Sequence, residues 1–454
     1  MIKPNVFFLT IDSLRADKCY GSAKSAKTPN LDSLIDSGVY FSQAISSADQ
    51  TGTSLASIFT SLFSLRTGIT HFNFSSSTKT YFDIFKNNHY FTSGCFPDHD
   101  FFLKILSKLD DNYAYVYNKL ESWRNLYGGL GQTIVEKLST LKNQQPWIYA
   151  AHIMDLHNLS ALSPEFKKEE FGETPYDQML SSIDVWLGKF IEKIDLNNTL
   201  VVITSDHGSY IPITNTIPDE IPTVQRFMKK IKKKAPLLEP VGIKLFLLMR
   251  KIAKEYRTTN LKKNHSAYEL RSLSMRGDTE LYDDAIRVPL LFSGYGVNKK
   301  IINALVRHVD IFPTISDIVK LENDDMKPDG LSLVPLINNE AMPELSAFIE
   351  TGVTAGQFSE KVNPKSVGKM IGIRTSRYKL LKSRNDNDHT KILYDLQNDP
   401  KELENIAEHN PDVVKQLEKQ LKEIMIPLDV EKPQDLSDEE QQKAEDLLRK
   451  LGYI

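Results

Sequence analysis

Three short runs constrain this chain most. NVFFLTI at 5–11, WIYAAHI at 147–153 and TLVVIT at 199–204 are predominantly apolar, without strict alternation. That is the pattern of strands buried on both faces. Each run then breaks into polar residues: Asp12-Ser13 after the first, Met154-Asp155-Leu156-His157 after the second, Ser205-Asp206-His207-Gly208 after the third. Residues 175–194 carry helical spacing, VPLLFSG at 288–294 reads as another buried strand, and DIFPTISDIVKL at 310–321 contains a helix. Buried strands alternating with helices predict an α/β fold, a mostly parallel central sheet with helices on both faces. Sites in such sheets lie beyond the C-terminal ends of the strands. The three polar endings are therefore expected to share one site.

A further helix is read in DQTGTSLASIFTSL (49–62), where Leu55, Ile58, Phe59 and Leu62 make an apolar stripe. Thr51, Thr53 and Ser54 crowd its start around Gly52. One hydroxyl suffices to cap a helix, so Thr53 or Ser54 is expected to cap and Thr51 to react. Asp12, Asp206 and His207 supply two carboxylates and an imidazole, a donor set for one divalent ion, with Mn²⁺ favoured over Mg²⁺, Ca²⁺ or Zn²⁺. Such an ion beside Thr51 would lower the hydroxyl pKa and polarise an ester oxygen. The N–H groups at the helix start favour a phosphate or sulfate. Another helix is expected in TPNLDSLIDSG (28–38), with Thr28 as N-cap, Pro29 at the first position and Gly38 as the stop.

Length and charge bound the remainder. A chain of 454 residues with 41% apolar content can bury a large core. The boundaries read as a catalytic domain at 1–365 carrying an insertion at 209–275, and a small C-terminal α+β subdomain at 366–454. In the latter, MIGIRTSRYKLLKS and KILYDLQND alternate like antiparallel strands, and charged helical stretches follow near 402–424 and 437–450. Two cysteines, Cys19 and Cys95, make no disulfide framework, and the paired-cysteine spacing of a zinc site is absent. Cys19 reads as packing. No secretory leader is read at the N-terminus, and no run of about 18 or more apolar residues would span a membrane. A cytoplasmic location is expected, and no nucleic-acid partner. Within the insertion, residues 224–265 hold thirteen Lys and Arg against two Glu. That stretch is expected either to present a solvated basic face or to touch anionic lipid or a polyanionic substrate at a membrane periphery. Oligomeric state is not legible.

Several ordered motifs resemble the sulfatase family of the alkaline phosphatase superfamily. They are IDSLRADKCYGSAKSAKTPNLDSLIDSGVYFSQAISSADQTGTSLASIFTSLFSLRTGI, MDLHN, TSDHG, ELYDDAIRVPLLFSG, VRHVDIFPTISDI, GIRTSRYKLL and YDLQNDPKELEN. The resemblance implies an alkaline phosphatase/sulfatase-like fold and one metal held by Asp12, Thr51, Asp206 and His207. It implies that His157 contacts the anion or protonates the leaving group, and that Arg276 pairs with the anion. Arg287 reads as structural and His308 as ambiguous. Sulfatases carry a Cys or Ser, converted to formylglycine, where this chain has Thr51. They also carry Pro and Arg in that motif, where this chain has Thr53 and Leu55. Ser13 replaces a common second metal-binding Asp. Thr is the residue of phosphotransferring members such as lipoteichoic acid synthase and the phosphoethanolamine transferases.

The resemblance therefore implies a metal-dependent hydrolase or transferase acting on phosphoesters of a glycan or lipid-linked head group through Thr51. One alternative is a sulfuric ester hydrolase working without formylglycine. The other is a catalytically inactive sulfatase-like protein that binds anionic glycans or lipids.

Overall fold

The computed structural model describes residues 3–69, 74–118, 122–123, 125–211, 263, 265–271, 281–322, 326–352, 369–385 and 388–426. Most of the basic stretch 224–265, the residue Arg276 and the charged stretch 437–450 lie outside the described residues. The chain divides into two compact units, Met1–Ser209 with Arg276–Ile454, and Tyr210–Met275. In the second unit the described residues include a helical turn, Ala267–Leu270, begun by a Ser266–Glu269 capping box.

The first unit is built on eight strands. In chain order they are β1 (Asn5–Ile11), β2 (Val39–Ile45), β3 (Phe91–Pro97), β4 (Asp111–Tyr115), β5 (Trp147–Ile153), β6 (Thr199–Thr204), β7 (Arg287–Gly294) and β8 (Lys300–Arg307). Their order across the sheet is β8-β2-β7-β6-β1-β5-β3-β4. Every pairing is parallel except the two made by β7. Every residue of β1, β5 and β6 is buried, as their unbroken apolar runs require.

Successive side chains of β1 show why helices cover both faces. Phe7 meets Phe190 of the helix α4 (Pro175–Ile191) edge-on at 6.3 Å. Phe8 meets Phe59 of α2 (Thr51–Thr60) at 6.2 Å and Phe312 of α5 (Ile311–Val319) at 5.2 Å. The helix α1 spans Pro29–Ser37, with Thr28 before it and Gly38 after, and α3 spans Gly131–Leu141. No helix of the described residues is long and apolar enough to cross a membrane.

A second, antiparallel sheet follows: β9 (Ala347–Glu350), β10 (Met370–Arg374), β11 (Tyr378–Ser383) and β12 (Lys391–Asp395), in that order. It begins upstream of the boundary expected at 366, because β9 pairs with β10. The helix α6 (Pro411–Ile424) lays Val414, Leu417 and Leu421 into a core shared with Ile371, Ile373, Leu380 and Leu393 of that sheet and with Phe63 and Val309 of the main body.

Candidate metal centre and nucleophile

β1 and β6 are neighbours, and their polar endings interlock. Ser205 Oγ accepts from Leu14 N at 2.9 Å and lies within hydrogen-bond reach of the Ile11 and His207 carbonyl oxygens, at 2.6 and 2.7 Å. Ser13 turns through a left-handed backbone conformation, φ 66°, which costs a non-glycine residue energy and persists only where surrounding bonds impose it. Those bonds are visible. Ser13 N donates to Asp206 Oδ1 at 3.1 Å, and Tyr176 of α4 donates to Ser13 O at 2.7 Å. The His207-Gly208 turn is held against 282–287. Gly208 N donates to Ala285 O at 2.8 Å, and any Cβ on Gly208 would overlap Asp284 O. Asp284 pairs with Arg15, which also donates to Ser209 O.

These turns converge three buried side chains. One ligand-type atom each from Asp12, Asp206 and His207 lies within 4.8 Å of the others. Asp12 and Asp206 are 0% exposed and His207 1%. Asp12 Oδ1 receives the Ser13 hydroxyl and lies 3.2 Å from His157 Nδ1. Its Oδ2 accepts from Thr51 Oγ1 at 3.3 Å. Burial pushes the Asp12 carboxyl up, but His157, His152 and His207 around it hold it well below the usual carboxylate range. His207 Nδ1 lies 2.8 Å from Gly208 O. A carbonyl only accepts, so Nδ1 carries a hydrogen, and Nε2 lies 3.2 Å from Thr51 Oγ1 and 3.3 Å from Asp206 Oδ2, where the neutral ring offers its lone pair. Asp206 Oδ2 is buried without a hydrogen-bond partner.

This arrangement is a test of fit for a cation. Asp12 Oδ2, Asp206 Oδ2 and His207 Nε2, a lone-pair donor in the neutral ring, converge around the Thr51 hydroxyl. Buried acceptors that face acceptors repel, and an orphan carboxylate oxygen is costly. A hard divalent ion satisfies all three together with the Thr51 oxygen. The residues present fit it.

Thr51 is the first residue of α2, and no side chain caps that helix. This corrects the capping expectation. The helix begins at Thr51 itself, which places Thr53 and Ser54 inside the first turn. Ser54 Oγ instead donates to Ala48 O at 2.9 Å and meets Ser46 Oγ at 3.0 Å. His157 ends a short 3₁₀ turn, Asp155–His157, with a side chain 21% exposed. Asp155 turns away from the cluster. Its Oδ1 accepts from Leu126 N at 3.1 Å, its Oδ2 is buried without a partner, and burial raises its pKa to about 7.

His308, ambiguous in the sequence, is fully buried beside Ser205 and His207, and burial lowers its pKa to about 3. Arg276 lies outside the described residues. Sequence reasoning passed over His152. It is the one imidazole inside the otherwise apolar run WIYAAHI, and its Nε2 lies 3.7 Å from Asp12 Oδ2. The signal was a titratable residue in a strand buried on both faces.

The Sulfatase family model matches residues 4–321, and a second, described as N-sulphoglucosamine sulphohydrolase, C-terminal, matches residues 278–428. A stretch of 130 residues is 28% identical to a choline-sulfatase of Rhizobium meliloti (strain 1021), covering 28% of this chain and 23% of that protein. The matched stretch thus spans about a quarter of that relative's length. Among solved structures, the phosphonate monoester hydrolase of Agrobacterium radiobacter superposes with a TM-score of 0.66 at 14% identity, over 93% of this chain and 95% of that one. Ps i-CgsB in complex with k-i-k-neocarrahexaose superposes with a TM-score of 0.62 at 17% identity, over 98% of each chain. At these identities the two structures speak for the fold.

Proposed function

The chain belongs to the sulfatase family, and on that premise we propose that it is a metal-dependent hydrolase or transferase of anionic esters. Its substrates are phosphoesters of a glycan or a lipid-linked head group, and Thr51 is the attacking residue. One observation carries this reading. The Thr51 hydroxyl stands at an uncapped helix start, within hydrogen-bond distance of both Asp12 and His207.

Asp12, Thr51, Asp206 and His207 would hold one divalent ion, Mn²⁺ before Mg²⁺, Ca²⁺ or Zn²⁺. Bound there, it supplies positive charge that acidifies the Thr51 hydroxyl and polarises the ester. The chain's own residues do the rest. The first-turn N–H groups of α2 bind the anionic oxygens. Thr51 Oγ1, its proton released to solvent, attacks the phosphorus as the bond to the leaving oxygen breaks, and the phosphoryl group then passes to water or to an acceptor hydroxyl as its bond to Thr51 Oγ1 breaks. His157, held through Nδ1 against Asp12 and partly open to solvent, gives the leaving oxygen its proton. Arg276 belongs to this proposal as an anion contact, the stretch 224–265 as a peripheral membrane contact, and the cytoplasm as location.

A second reading, a sulfuric ester hydrolase, is favoured by the likeness to a choline-sulfatase. The two are separated by assaying bis(p-nitrophenyl) phosphate and p-nitrophenyl sulfate side by side with Mn²⁺. Turnover of the phosphodiester, lost in Thr51→Ala, is the expected result. Turnover of the sulfate ester alone would overturn the phosphoester reading.

A further inference from the structure

We propose that His152 is a positioning residue for the Asp12 carboxylate, holding Oδ2 toward Thr51 and His207. This rests on the metal-centre reading above. Thr10 and Asp12 are two residues apart on one chain direction, and Thr10 is the register partner of His152. The imidazole therefore lies on the sheet face that α2 covers, beside Asp12.

Two contacts hold the ring and a third holds its backbone. Thr10 Oγ1 lies 2.9 Å from Nδ1, the Phe102 ring stacks on it at 5.2 Å between centroids, and Tyr115 donates to the His152 carbonyl at 2.9 Å. The side chain is wholly buried, and its Nε2 has no hydrogen-bond partner. Packing alone does not call for an imidazole here. A phenyl ring would fill the layer of Phe96 and Phe102 without burying an unsatisfied nitrogen.

Thr10 Oγ1 donates to Ala151 O at 3.1 Å and meets His152 Nδ1 at 2.9 Å, a contact that either ring tautomer can make. The Asp12 anion selects the form with a hydrogen on Nε2, aimed at Asp12 Oδ2 3.7 Å away. That separation is an electrostatic contact, longer than a hydrogen bond. An N–H dipole fixed there favours the carboxylate anion against its burial and resists rotation of Oδ2 away from Thr51. With Ser13 and His157 on Oδ1, both oxygens of Asp12 are then oriented. Partners behind a ligand change metal affinity by about 10–100-fold when removed.

The test is Mn²⁺ affinity of the full chain, measured by calorimetric titration well below the melting temperature. His152→Phe, which keeps a ring against Phe102, is expected to weaken binding by about 10–100-fold with an unchanged circular dichroism spectrum. His152→Gln, whose amide N–H reaches the place of Nε2, should recover most of that loss. Thr10→Val, which keeps the shape and removes the hydroxyl behind Nδ1, should weaken binding by a smaller factor, and it carries the test if His152→Phe does not fold. Mn²⁺ affinities of the Phe and Val variants within threefold of the unmodified chain would overturn the proposal. An unmodified chain that binds no Mn²⁺ would overturn the metal centre itself, a separate result.

Discussion

Two clusters of buried carboxylates sit in the same compact unit, and they are neutralised in different ways. Where the second sheet meets the segment 281–287, Asp283 accepts from Lys379 at 2.9 Å and from Arg374 at 3.0 Å, and Lys379 also pairs with Glu402 and donates to Leu281 O at 2.6 Å. Burial pushes Asp283 up, but Lys379, Arg374 and Arg287 hold it well below the usual carboxylate range. At the edge of the large sheet, Asp12 and Asp206 are buried more deeply than Asp283, whose side chain is 16% exposed, yet their nearest positive candidates are imidazoles, and Asp206 Oδ2 has no hydrogen-bond partner. The first cluster brings its own cations. The second gathers acceptors and stops. Carboxylates gathered in the interior without a cation of their own mark a place built for something that arrives from outside.

Substitutions that separate chemistry from stability test this contrast. Thr51→Ala should cut turnover by about three orders of magnitude or more, since it removes the attacking oxygen, while the melting temperature stays near that of the parent. Retained turnover would assign the attack elsewhere. Lys379→Met acts on the other cluster. It leaves Asp283 and Glu402 buried without their shared cation, and urea unfolding should show a loss of about 3–5 kcal/mol. A loss below about 1 kcal/mol would mean the junction does not depend on that cation.

Asp206→Asn should reverse the sign. In chelator the variant should gain about 1–2 kcal/mol over the parent, because an amide N–H replaces the orphan oxygen opposite His207 Nε2. A destabilised variant would mean the carboxylate is satisfied without a metal. The smallest effect concerns pH. Asp155 and Glu402 both have folded-state pKa values raised by burial to about 7. Folding therefore favours their protonated forms, and the stability they contribute is full below about pH 4 and lost as pH rises through about 7. Asp155→Asn should flatten the fall in stability across that window. An unchanged profile would place the titration on other groups.

What the sequence revealed follows the range of the physics involved. The strands were legible because burial on both faces writes a continuous apolar run, and the gathering of Asp12, Asp206 and His207 was legible because polar residues end those runs. The reversal of β7 was not, since VPLLFSG carries the same signal in either direction. The strand Ala347–Glu350 was not, because four residues are too few to show a period and their partner lies twenty residues on. The helix start at Thr51 was misjudged because hydroxyls in a first turn look like caps until the backbone shows where the turn begins. Pairings such as Lys379 with Asp283, and His152 with Asp12, exist only once distant segments meet.

Mn²⁺ binding by the intact chain beside Asp206→Asn, followed by calorimetric titration at neutral pH, tests the metal centre most directly. One ion per chain is expected for the parent, with binding lost or weakened by at least about 100-fold in the variant, since a neutral amide replaces a charged ligand. A parent that binds no divalent ion, or a variant that binds as tightly as the parent, would contradict the assignment of Asp12, Asp206 and His207 as one metal centre.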